Sequence, residues 1–121
     1  MGHVRTKIKL SNPRKPKLSP LEVTALVDTG AIHLCVPQSV VEQLRLEQLE
    51  QRKVTTADGR RQDFSYVGPV QISFANRNCY VGALVMGAEV LLGAVPLEDM
   101  DVLICPRTQT LTVNPNPKLR G

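Results

Sequence analysis

Thr24-Ala25-Leu26-Val27-Asp28-Thr29-Gly30-Ala31 runs an apolar segment straight into an acid and a glycine, so a carboxylate leaves the end of a strand inside a tight turn. Desolvating a carboxylate is costly, and an Asp that follows directly on an apolar strand is therefore a site candidate on physical grounds alone. Asp-Thr-Gly is also ordinary turn chemistry, and three residues by themselves leave the two readings level. The chain has one such segment.

Upstream, Leu21 to Val27 reads as the strand that carries Asp28. Before it, Val4-Arg5-Thr6-Lys7-Ile8-Lys9-Leu10 alternates strictly, as a strand with one buried face and one wet, charged face does. Residues 11–20 hold three prolines and no periodicity, so they read as an exposed, flexible, basic connection across which the two strands pair. Downstream, Ile32 to Val36 is a short apolar strand. Pro37 to Leu44 has Pro at a first helical position and apolar residues at 40, 41 and 44, the spacing of one helical face. Arg45 to Glu50 stays open between more helix and a turn.

Arg52 to Thr56 and Phe64 to Val67 flank Ala57-Asp58-Gly59-Arg60, whose Asp-Gly pair is a strong hairpin signal. Val70 to Phe74 and Cys79 to Met86 pair around Asn76-Arg77-Asn78, and Glu89 to Leu92 leads into Gly93. Pro96 to Met100 reads as one helical turn, and Val102 to Cys105 with Thr110 to Val113 as a last hairpin. The tail 114–121 is expected to fray. The sum is a mostly β domain spanning residues 1–121, with many short strands, one or two short helices and no internal repeat.

Bulk properties narrow the function classes. A chain of 121 residues, 42% hydrophobic and 21% charged, supports one modest core and has no room for two lobes. Aromatics are 3% and Trp is absent, so base-stacking surfaces are poorly supplied. Six of the fifteen basic residues precede the first acid, Glu22, but their strand alternation favours a solvated face over a phosphate-binding stripe, and nucleic acid is not an expected partner. No apolar stretch approaches the roughly 20 residues of a membrane span, and Met1 to Leu10 has no signal-peptide core, so a cytoplasmic location without membrane contact is expected. Cys35, Cys79 and Cys105 are widely spaced and odd in number, which points to free buried thiols and away from disulfides or zinc.

Asp28-Thr29-Gly30-Ala31 after an apolar strand, a helix at Pro37 to Leu44, the Thr56-Ala57-Asp58-Gly59-Arg60 hairpin, and Val90-Leu91-Leu92-Gly93 with Leu97 soon after resemble the retropepsin-like aspartic proteases, in particular their small bacterial and retrotransposon-type members. The resemblance covers about Val4 to Val113. It implies a closed-barrel-like acid protease fold with one lobe per chain and the active site at a homodimer interface. Such enzymes need two carboxylates a hydrogen bond apart that share one proton. One Asp-Thr-Gly per chain then implies a twofold homodimer acting on polypeptide, an aspartic endopeptidase with no cofactor and no metal.

By position, the resemblance makes Asp28 the acid/base, gives Thr29 a hydrogen-bonded brace beneath the dyad, and has Gly30 permit close approach and offer its N–H to the carboxylates. Ala31 and Ile32 would line the cleft with Ala57, Asp58 and Gly59 of a flap hairpin, while Leu91, Leu92 and Gly93 would pack behind the catalytic loop as structural support. The chain departs from viral members in carrying Ala94-Val95 where those usually have Arg then Asn or Asp, and in the charges Asp58, Arg60 and Arg61 at the flap. A non-catalytic retropepsin-like module for dimerisation or peptide binding is the alternative; the intact Asp28-Thr29-Gly30 and the flap hairpin speak against it. A phosphate-site reading of the triplet fails because it needs two lobes.

Other residues have blander readings. His33 is expected on an outer strand face, Cys35 as a buried structural thiol, Asp58 as a turn residue, and Glu98, Asp99 and Asp101 as a solvated helix start.

Overall fold

Strict alternation in the first strand, β1 (Val4–Ser11), sends Ile8 and Leu10 inward and Arg5, Lys7 and Lys9 outward. A computed structural model describes residues 3–115. β1 pairs antiparallel with β2 (Leu21–Val27) from Val4 opposite Val27 to Leu10 opposite Leu21. β3 (Leu34–Val36) and α1 (Gln38–Leu44) follow, then β4 (Glu47–Thr55), β5 (Arg61–Phe74) and β6 (Arg77–Val85) as a meander. β7 (Val90–Leu92) leads into α2 (Ala94–Met100), and β8 (Val102–Cys105) pairs with β9 (Thr110–Val113) as a separate hairpin.

The strand order β1-β2-β7-β3-β6-β5 closes on itself because β5 returns to β1, with Leu10 opposite Ile72. Six strands therefore form a closed barrel, and β4 stays outside it, joined to β5. β7 inserts between β2, to which it is parallel, and β3, to which it is antiparallel. The core inside is aliphatic: Ile8, Leu10, Leu34, Val36, Val70, Ile72 and Leu92 are essentially sealed from water, with Leu44 of α1 and Met100 of α2 in the same cluster. Burial, followed by the charge of Asp99, pushes the thiol of buried Cys79 up to about 12. Cys35 is also buried and free, whereas Cys105 is only partly covered. No helix among the described residues is long and apolar enough to cross a membrane.

Four elements differ from the sequence expectation. Arg45 ends α1 as a left-handed turn residue (φ 52°), Leu46 points inward, and β4 then begins at Glu47, so the turn is confined to Arg45 and Glu47 to Glu50 are strand, neither helix nor turn. These helix-forming residues are held extended by pairing with β5, an override of local propensity by the neighbouring strand. The two expected strands at 64–67 and 70–74 are one continuous β5. β3 starts at Leu34 and not Ile32, because the carbonyls of Ala31 and Ile32 are taken by the amides of Ala94 and Val95. That capture also starts α2 two residues earlier than Pro96.

The 11–20 connection is not uniformly exposed. Asn12 is buried, its Nδ2 donating to the carbonyls of Leu44 (2.9 Å) and Arg45 (3.2 Å), and its Oδ1 accepting from Arg14 N–H (3.0 Å). It thereby satisfies the C-terminal carbonyls of α1. Asn12→Ala leaves those carbonyls buried without this donor, and a loss of about 1–3 kcal/mol in unfolding free energy is expected in chemical denaturation; an unchanged midpoint would contradict it. Asn114, at the start of the tail expected to fray, is tied down by its N–H to Asp101 O (3.1 Å) and by Arg77 Nη2 to its own carbonyl (3.3 Å). Residues 116–121 of that tail lie outside the described residues.

Candidate active site

β2 ends at Val27, opposite Leu92 in parallel register, and the next amide, Asp28 N–H, still donates to Leu92 O (3.0 Å). The chain then turns. Gly30 N–H donates to Asp28 Oδ1 (2.9 Å) and Ala31 N–H to Asp28 O (3.1 Å), so the carboxylate is oriented by its own loop. Ala31 O and Ile32 O accept from Ala94 N–H (2.8 Å) and Val95 N–H (3.0 Å), which pins the loop to the first turn of α2.

Gly93 makes that junction possible. A Cβ on it would collide with His33 O and stand 2.8 Å from Ile32 C and 2.9 Å from Ala31 O, so two backbones pass where no side chain fits. Leu92 beside it is buried in the core. Asp28 itself is only half-buried in the single chain, and Thr29 and Gly30 are exposed, so the desolvated carboxylate expected from the sequence is not achieved by one copy.

Beside the loop lies a groove of about 540 Å³. Its floor is the outward row Leu84–Cys35–Leu91, brought side by side because β3 pairs with β6 at Cys35/Leu84 and with β7 at Cys35/Leu91. One wall is Gly30, Ala31 and Ile32; the other is the β4 arm from Lys53 to Ala57. Ile32 is 62% exposed, an uncovered apolar side chain at the groove's edge.

Of the expected cleft residues, Ala31, Ile32 and Ala57 line this groove and Leu91 supplies part of its floor. Asp58 and Gly59 do not line it; they form the tip of the β4–β5 hairpin, where Gly59 has φ +83°. There Asp58 Oδ1 accepts from Thr56 Oγ1 and from Arg60 N–H (3.1 Å), and these bonds hold its carboxyl below the usual range. Thr29 faces a separate hollow with Leu97 and Leu103. Cys35 is raised by burial first and by the Asp28 charge second, so it is a neutral thiol and not a nucleophile at neutral pH.

His33 is half-buried, not simply on an outer face, and stands edge-on to Tyr66 with centroids 6.0 Å apart. Burial and then the Arg52 cation lower its pKa. The Arg52 guanidinium stacks 3.7 Å from the centre of the Tyr66 ring while its Nε donates to Glu50 Oε1 (2.6 Å). Sequence reasoning missed this cluster, and also Lys53, Val54, Thr55, Leu84 and Met86 in the groove. A signal for Leu84 and Met86 exists: Ala83-Leu84-Val85-Met86 is apolar on both strand faces, which a strand with one wet face is not.

Residues 19–110 match the family model described as "gag-polyprotein putative aspartyl protease". Among solved structures the chain is similar to the solution structure of Simian Foamy Virus (mac) protease, with 18% identity, a TM-score of 0.48, and coverage of 77% of this chain and 92% of that one. No curated protein sequence matches it.

Proposed function

The chain belongs to the retropepsin-like gag-polyprotein aspartyl protease family, and from that premise we propose that it is an aspartic endopeptidase whose site is completed by the Asp28 of a second copy. The observation that carries this reading is a half-exposed Asp28 carboxylate held by Gly30 N–H, in a loop whose next residues, Gly30 to Ile32, wall a peptide-sized groove, with one Asp-Thr-Gly in the chain.

Two Asp28 side chains about a hydrogen bond apart share one proton. The ionised one removes a proton from water, whose oxygen attacks the scissile carbonyl carbon, while the protonated one donates to the carbonyl oxygen. Collapse of the resulting gem-diol breaks the C–N bond and passes a proton to the leaving nitrogen. Gly30 N–H orients each carboxylate, and the Lys53 to Ala57 arm closes over an extended substrate that adds as a strand. The second copy also supplies the desolvation that one chain lacks at Asp28 and Thr29.

The test is cleavage of a mixed peptide library over a dilution series of the protein. Rate per chain is expected to fall as the chain is diluted, because the site exists only in the dimer. A rate per chain that holds constant where the mass in solution is monomeric would refute the shared site, and no cleavage at any concentration would refute the endopeptidase reading.

A further inference from the structure

The groove floor does not end at Leu84. Residues two apart on β6 share a face, so Tyr80, Gly82 and Leu84 form one outward row that Met86 continues. Leu84 and Met86 line the groove, whereas Tyr80 and Gly82 line a second hollow of about 430 Å³, and His33 borders both. Tyr66 lies flat against Gly82, where a Cβ would collide with its ring, and Arg52 stacks on Tyr66. Tyr80 is 60% exposed and Val95, which lines the same hollow with Pro96, 46% exposed. Two of the fold's few uncovered large apolar side chains thus face one hollow.

We infer that this hollow is a subsite for an aromatic side chain of the polypeptide substrate, several residues from the scissile bond; the inference rests on the endopeptidase reading above. An extended peptide advances about 3.3 Å per residue, so the four positions from Leu84 to Tyr80 correspond to about 13 Å, or four substrate residues along the same track. The walls select the occupant's chemistry. The Tyr80 ring and the guanidinium of Arg52, itself backed by Tyr66, offer flat surfaces for a ring to pack on, and Val95 and Pro96 add apolar wall without a side-chain polar group to satisfy. An acidic side chain is disfavoured because Glu50 already accepts from Arg52 Nε, which leaves the hollow little net positive charge.

The experiment uses the full chain and a peptide it cleaves, with Ala, Phe or Glu placed at each position flanking the scissile bond. Phe is expected to lower KM about tenfold relative to Ala at one distal position, with kcat unchanged, as uniform binding predicts. Tyr80→Ala removes that preference while leaving cleavage of the Ala peptide as in wild type, and Val95→Ala weakens it; neither side chain belongs to the buried core, so the fold is retained. A preference for Glu at that position, no distal aromatic preference, or an aromatic preference that survives both substitutions overturns the subsite while the endopeptidase reading stands. Failure to cleave any peptide overturns both.

Discussion

Asp28→Asn is expected to lower peptide cleavage by about 10⁴-fold or more, the scale seen when a group that takes part in bond making is removed. The substitution is nearly isosteric. Asn retains an oxygen that accepts from Gly30 N–H, and the backbone bonds from Asp28 N–H to Leu92 O and from Ala31 N–H to Asp28 O do not involve the side chain. The thermal midpoint is therefore expected to stay within a few degrees of wild type, which separates a chemical loss from an unfolded chain. Mixing provides a second readout. Equal amounts of wild-type and Asp28→Asn chains that exchange freely leave about one quarter of dimers with two carboxylates, so activity per wild-type chain falls by about half. Cleavage that persists in Asp28→Asn material, or a mixture whose activity per wild-type chain is undiminished, contradicts the shared dyad.

Gly93→Ala is the second large effect, and it acts on both stability and turnover. The added methyl meets the backbone of Ala31, Ile32 and His33, none of which can swing aside as the end of a flexible side chain can. Overpacking of this kind costs about 1–3 kcal/mol. Relief requires the 31–33 backbone to move away from β7, and that loosens the bonds from Ala94 N–H and Val95 N–H which pin the loop carrying Asp28. A displacement of about 1 Å in a catalytic group costs on the order of 10²-fold in rate. Denaturant unfolding and peptide kinetics on the same preparation check both parts. A variant with wild-type stability and wild-type kcat would show that the close approach at Gly93 is dispensable.

Much of this arrangement is readable before any coordinates. β1 and β2 are legible because their two faces differ in polarity, and the last hairpin because Pro106-Arg107-Thr108-Gln109 separates two runs of extended-chain formers. Leu91-Leu92-Gly93 is legible through its resemblance, and its packing role has a visible cause in the space at Gly93. The first half of β4 was not legible, since Glu47-Gln48-Leu49-Glu50 is exposed throughout and has no inward face to betray a strand. Nor was the groove floor, because Cys35, Leu84 and Leu91 come from three separated segments and meet only through the β3–β6 and β3–β7 pairings. The stacking of Arg52, Tyr66 and Gly82 has the same character: short-range pattern says nothing about which tyrosine lies over which glycine.

β4, left outside the closed barrel, carries a burden the other strands escape. Its outer edge has no hydrogen-bonded neighbour among the described residues, and unpaired strand edges are templates on which chains aggregate. This strand answers with Glu47, Glu50, Arg52 and Lys53 along nine residues and a break in register between Gln48 and Glu50. A second molecule approaching that edge meets charge and a kink, so the arm that borders the groove can remain single, free to meet a transient guest without becoming the first layer of a fibre.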